Sequence, residues 1–222
     1  MAHLTNEFFQ FFMELAPNNN KDWFDINRKR YKQHVKDPFD ALVGDVIDAM
    51  REIEPKIEVE PKHCVFRINR DIRFSKDKTP YKMNRSAAIS PGGKKDKSIP
   101  GLYFEVNCEN VNIYGGCFQP DKEQLLRIRE EIAFHPEKFN KLIADKDFVN
   151  TFGTIQGNKN VRIPKELQKD AESQELIFNK QFYWKAQYDC EVALQDDFVE
   201  MLTAHYSIMK PLSDFFERPV IG

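Results

Sequence analysis

The chain changes hydrophobic period twice, and that change limits what it can fold into. Apolar residues recur at helical spacing in the first third, alternate through the middle third, and return to helical spacing in the last. Helices first, clustered strands and helices last predict an α+β fold, with a mostly antiparallel sheet from the middle third packed against N-terminal and C-terminal helices. Leu4, Phe8, Phe11, Phe12 and Leu15 mark a first helix. Asn18 to Asn20 supply N-cap candidates for a second, which carries Trp23, Phe24, Tyr31 and Val35. Phe39, Leu42, Val43, Val46, Ile47, Met50 and Ile53 mark a third, started by Pro38 and ended by Pro55.

In the middle third, Phe66, Ile68, Ile72 and Phe74 alternate with Arg67, Asn69, Asp71 and Arg73, which predicts a half-buried strand over 65–74. Leu102 to Asn107 and Val111 to Phe118 predict two more, and Ser86 to Ser90 fits another. Phe182, Trp184 and Ala186 place a further strand over 181–190. A long amphipathic helix from Phe198 to Phe216 closes the pattern. With 222 residues, 19 of them Phe, the chain has ample material for one core, and the expectation is a single domain over 1–222.

Several function classes fall away. No run approaches the about 20 apolar residues of a membrane span. Met1 to Leu15 has no basic start and carries Glu7 and Glu14, so it reads as a helix and not as a secretory signal. A cytoplasmic protein with no membrane partner is expected. Cys64, Cys108, Cys117 and Cys190 form no CxxC pair, and the five histidines show no HxxxH or HExxH spacing, so neither a metal nor a cofactor is expected. GxSxG and the phosphate-loop signature are absent. Nothing in the pattern sets an oligomeric state.

One segment stands apart in charge. Arg67 to Arg85 holds seven cations and two anions, a net of +5 in a chain of −2, so the remainder carries −7. Guanidinium forks and ammonium groups suit carboxylate or phosphate. Arg67, Arg70, Arg73, Lys76, Lys78 and Lys82, with the Tyr81 hydroxyl, are therefore candidates for binding a small anionic ligand. Asp71 or Asp77 would orient the cations or act as a base, should the site carry a reaction, which the sequence does not identify. Gly115-Gly116 ends a strand just before a helix, where a ligand or a second backbone can approach closely, and Asp121 is placed to cap that helix.

The same residues fit other readings. Asp71 and Asp77 can pair with their neighbours in a purely structural ion-pair network, and Arg70, on the core side of the expected strand, can be buried against a carboxylate or carbonyls. The segment can also serve a non-enzymatic protein- or nucleic-acid-binding module, although a pI near 6.2 counts against nucleic acid. Asp25, Glu105, His63 and Lys180 are further candidates that the sequence does not rank, and no residue is assigned a catalytic role.

Four stretches together carry a family resemblance: Asn18 to Arg28, Arg70-Asp-Ile-Arg-Phe-Ser-Lys-Asp-Lys-Thr-Pro-Tyr-Lys82, Gly115-Gly-Cys-Phe-Gln-Pro120, and Lys180-Gln-Phe182. In this order and spacing the chain resembles the bacterial and fungal family named domain of unknown function 2461, from about Leu4 to Phe216. Tyr114 stands where the family often has another Gly, and the late basic stretch is less Lys-rich. The resemblance implies helices packed on a sheet and implies no activity.

Overall fold

The computed structural model describes residues 2–221; Met1 and Gly222, the ends of the expected domain, lie outside them. The first helical third forms α1 (Asn6–Leu15), α2 (Lys21–Ile26), α3 (Arg28–Tyr31), α4 (Asp37–Ile53) and the short α5 (Pro61–Cys64), with a wide π-helical turn, Lys32–Lys36, leading into α4. Asn20 caps α2 by accepting from the Trp23 N–H at 3.0 Å. The strands follow as β1 (Asn84–Ile89), β2 (Leu102–Asn107) and β3 (Asn110–Cys117). Next come α6 (Lys122–Phe134), α7 (Pro136–Ile143), α8 (Lys146–Phe152) and α9 (Gln168–Ser173), then β4 (Phe182–Asp189) and the 24-residue α10 (Phe198–Ile221).

The sheet is antiparallel throughout, in the order β1-β2-β3-β4. Register sorts its two faces. Ala87, Phe104, Ile113 and Ala186 stand in one cross-strand row, and with Leu102, Val106, Val111, Cys117, Phe182 and Trp184 they make a buried apolar face. α4 and α10 supply the other half of the core. Phe39 of α4 meets Phe104 at 5.6 Å between ring centroids, and Phe216 of α10 meets Phe182 at 5.1 Å. Ring pairs of this kind add to the area term, about 2–3 kcal/mol for each fully buried Phe. The opposite face carries Ser86, Tyr103, Glu105, Asn112, Tyr114 and Lys185, and it is only partly covered.

Gly115 belongs to the apolar face. A Cβ there would stand 2.5 Å from Trp184 Nε1 and 2.6 Å from Met209 Sδ, so the missing side chain lets α10 seat against β3. Gly116 has φ +111, and a Cβ would strike the Phe182 carbonyl of β4.

The expected strand over 65–74 is replaced by an arm. Val65 bridges Ala87 and the Phe66 N–H reaches the Ser86 carbonyl, but the next pairs join Ile68 to Lys82 and Asn69 to Tyr81. Between them Arg67 alone faces Met83, Asn84 and Arg85, so the ladder is broken by a bulge. Arg85 fills that gap: it is 3% exposed, donates to the Phe66 carbonyl at 2.8 Å, lies over the Phe39 ring at 5.3 Å and approaches Asp40 at 3.5 Å. The core-facing arginine paired with a carboxylate is thus Arg85, not Arg70. Beyond Arg70 the chain turns through 71–79 as a tip in which Phe74 is 95% exposed, so the apolar alternation at 72 and 74 does not track burial.

Candidate functional site

The arm's root is fixed by residues far away in sequence. Asn19 Oδ1 accepts from the Tyr81 N–H at 3.1 Å and Asn19 Nδ2 donates to the Tyr81 carbonyl at 3.0 Å. The Tyr81 ring stacks on Phe24 at 4.0 Å, which buries it and pushes its phenol pKa up. The tip is braced from within. Arg70 donates to Asp77 and to the Thr79 hydroxyl, and the Thr79 N–H donates to Asp77 at 2.9 Å. The Thr79 amide, then Arg70, lower the Asp77 pKa to about 2. Arg73 donates twice to Asp71, at 2.7 and 3.0 Å, and Lys78 Nζ donates to the Ile72 carbonyl at 2.9 Å. Arg67 and Lys76 are exposed.

Between this arm and the partly covered face of the sheet lies a cavity of about 450 Å³. Phe66 and Lys82 close it from the arm side. Ser86, Tyr103, Glu105, Tyr114 and Tyr183 form its floor, and Asp96, Lys97 and Phe118 its far rim. Tyr103 is flanked by two rings, Tyr114 at 5.5 Å and Phe66 at 6.0 Å. Strand alternation, which buries Phe104 and Val106, turns Tyr103 and Glu105 toward this space.

Glu105 is held by three donors. Asn112 Nδ2 reaches Oε1 at 3.0 Å, while Asn84 Nδ2 at 3.2 Å and the Tyr103 hydroxyl at 3.0 Å reach Oε2. Burial raises the Tyr103 pKa, and the neighbouring Glu105 carboxylate pushes in the same direction. Tyr103 is a donor here, not a base. Lys82 Nζ lies 5.3 Å over the Phe66 ring and has no hydrogen-bond or ion-pair partner among the described residues. Burial lowers its pKa, followed by the like charges of Arg85 and Arg67; Glu105 opposes the shift and Lys97 adds to it.

Of the residues singled out in the sequence, the structure brings Lys82, Gly115 and Gly116 to the cavity wall. Arg67, Arg70, Arg73, Lys76, Lys78 and Tyr81 lie on the arm outside it, as do Asp71 and Asp77. Glu105 lines it, whereas Asp25 pairs with Arg28 and Lys21 on the surface, and His63 and Lys180 are exposed. Phe66, Ser86, Tyr103, Tyr114 and Tyr183 line the cavity as well and are not among the sequence candidates. The signal was present in β2 and β3, where Tyr103, Glu105 and Tyr114 alternate with buried apolar residues. Among the described residues no three His, Cys, Asp or Glu side chains are placed to hold a metal ion, and no helix is long and apolar enough to cross a membrane.

Comparison with known families matches the chain over residues 7–215 to one described as conserved hypothetical protein (DUF2461). The chain belongs to that family. No curated protein matches it. In this DUF2461 chain the four stretches behind the resemblance meet in pairs. Residues 18–28 and 70–82 join at the Asn19–Tyr81 bonds and the Phe24–Tyr81 stack. Residues 115–120 and 180–182 join where Cys117 pairs with Phe182. Both junctions adjoin the cavity, the first through Lys82 and the second through Gly116.

Proposed function

We propose that the cavity on the polar face of the sheet binds a small compound with a flat, largely apolar body and one anionic group, and that Lys82 holds the anion. The observation that carries this reading is the Lys82 ammonium, half-buried against Phe66 with no counter-ion among the described residues. An unpaired ammonium in a partly dry site is costly unless something completes it. Arg85, Arg67 and Lys97 add positive potential at the same point, and the opposing carboxylate, Glu105, already accepts three hydrogen bonds. Phe66, Tyr103 and Tyr114 offer ring faces to the body of the ligand. The volume falls within the range of small-molecule sites, roughly 300–1,000 Å³.

Thermal melting at low salt against phosphorylated metabolites, nucleotides and aromatic carboxylates tests the proposal. A ligand at about 100 times its Kd adds roughly 2.7 kcal/mol of stability. Lys82→Met should weaken any anion that shifts the wild type by about tenfold to a hundredfold, the loss of one charge-assisted hydrogen bond. An anion held without a covalent bond requires the ammonium, so its affinity should fall as pH rises through the lowered pKa of Lys82, earlier than for an ordinary lysine. Melting temperatures unmoved by every anion, or moved equally in the variant, would sink the proposal.

A second reading makes the arm a contact for an acidic macromolecule. It is favoured by Phe74, 95% exposed at a tip braced by side-chain bonds, with the Arg73 guanidinium 5.9 Å from its ring. On that reading Phe74→Ala abolishes the association and leaves small-anion binding intact, read side by side by fluorescence anisotropy and melting.

A further inference from the structure

Half-buried lysines elsewhere in the chain are held by acceptors. Lys94 donates to the carbonyls of Lys62 and Val65 at 2.7 and 2.6 Å, and Lys210 is paired with Glu54 and Asp214. Lys82 is the half-buried lysine among the residues lining the cavity, its amine beside the Phe66 ring and with nothing accepting from it among the described residues. Lys97, the other lysine there, is exposed at the rim.

We infer that Lys82 is a covalent amine site that captures a small 2-oxo acid as an iminium, an inference that rests on reading the cavity as a ligand site. Three features of the geometry support it. The amine is reachable from the cavity and free of any bond that would have to break first. The rings of Phe66, Tyr103 and Tyr114 line the space an imine would occupy, apolar surface suited to the body of an aryl or alkyl 2-oxo acid. Burial, and then the like charges of Arg85 and Arg67, disfavour a proton on Lys82, and the same cations draw in a carboxylate beside the reacting carbonyl.

The step balances without an outside oxidant or reductant. The Lys82 ammonium gives one proton to solvent, and its lone pair forms the C–N bond as the carbonyl π pair moves to oxygen. That oxygen takes up a proton from solvent and a second from nitrogen, and leaves as water when the C–N double bond closes. Ammonium plus carbonyl thus gives iminium plus water. The positive charge stays on nitrogen, next to the ligand's own carboxylate, so capture keeps the charge match that brought the ligand in.

The test is reductive trapping of the full chain. Wild type is incubated with phenylpyruvate, and separately with pyruvate, in the presence of cyanoborohydride, which reduces an iminium to a stable secondary amine. Peptide mapping by mass spectrometry then locates the adduct. Lys82 should carry it at a yield several-fold above any other lysine. Lys82→Arg, which keeps the positive charge, should lose that adduct; Lys82→Met serves if the arginine variant melts markedly lower. Adduct spread over exposed lysines with Lys82 no higher would overturn the inference. A melting shift with phenylpyruvate but no adduct at Lys82 also overturns it and leaves the ligand site standing. Neither shift nor adduct with these acids, together with no shift in the wider anion panel, removes both.

Discussion

His205 donates from Nδ1 to the Met201 carbonyl at 2.7 Å, which leaves Nε2 to accept the Tyr188 hydroxyl at 2.6 Å. This arrangement suits the neutral imidazole, and burial lowers its pKa below 6.5, against the opposing pull of the Met201 carbonyl. The unfolded chain binds that proton more readily, so stability is complete above the unfolded pKa and declines as pH falls through 6.5 toward the lowered value. Melting followed between about pH 7.5 and 5 should show this decline, and His205→Phe should flatten it. Gly115 gives a second prediction at the same scale. Gly115→Ala forces a methyl against Trp184 and Met209, and urea unfolding should report a loss of about 1–3 kcal/mol. Here the sequence showed that a Gly pair stands at the end of a strand, but not why. The residues that exclude a side chain, Trp184 and Met209, lie far along the chain, and only folding brings them to Gly115.

The arm shows where element-level reading succeeds and where it fails. The three strands paired by plain alternation, β2, β3 and β4, fall where alternation places them. Residues 65–74 alternate as well, yet their partner strand carries three residues opposite one, and no local pattern encodes a bulge on the other side of a ladder. The consequence is a tip held by side chains instead of a ladder, and side chains titrate. Asp77, with its pKa held near 2, contributes its bracing above the ordinary value of 3.8 and loses it as pH falls from there to about 2. The Thr79 amide resonance, which reports the bond to Asp77, should move over that interval while resonances of β2 and β3 stay put. Arg70→Ala should release the tip in the same way at neutral pH, read as faster amide exchange at Thr79, with the rest of the protein undisturbed. A global loss of structure in Arg70→Ala would mean that the arm is part of the cooperative core.

At the scale of the molecule, the charge concentrated in 67–85 is divided among three tasks. Arg70 and Arg73 brace the tip, Arg85 closes the bulge against the core, and Lys82 turns into the cavity. Net charge picks out a segment that reaches the cavity through Lys82, but the division depends on which side of the bulge each residue falls, so the candidate site was legible only as a neighbourhood. The α+β architecture was legible almost in full, because helical and strand periods are set by burial on one face. The helices and the sheet meet through rings, and Phe216→Ala, which removes one contacting Phe182, Trp184, Phe139 and Phe215, should cost about 3–5 kcal/mol in urea unfolding. The same packing separates the two tryptophans. Trp184 is sealed between β4, α8 and α10, its ring near Phe148 and Phe216, while Trp23 lies half-buried beside Phe11 on the helices that anchor the arm. The chain thus carries two natural fluorophores at different stations, one in an apolar interior and one near water. Replacing either leaves a single-colour reporter, with which the loosening of the helical layer can be timed separately from the melting of the sheet.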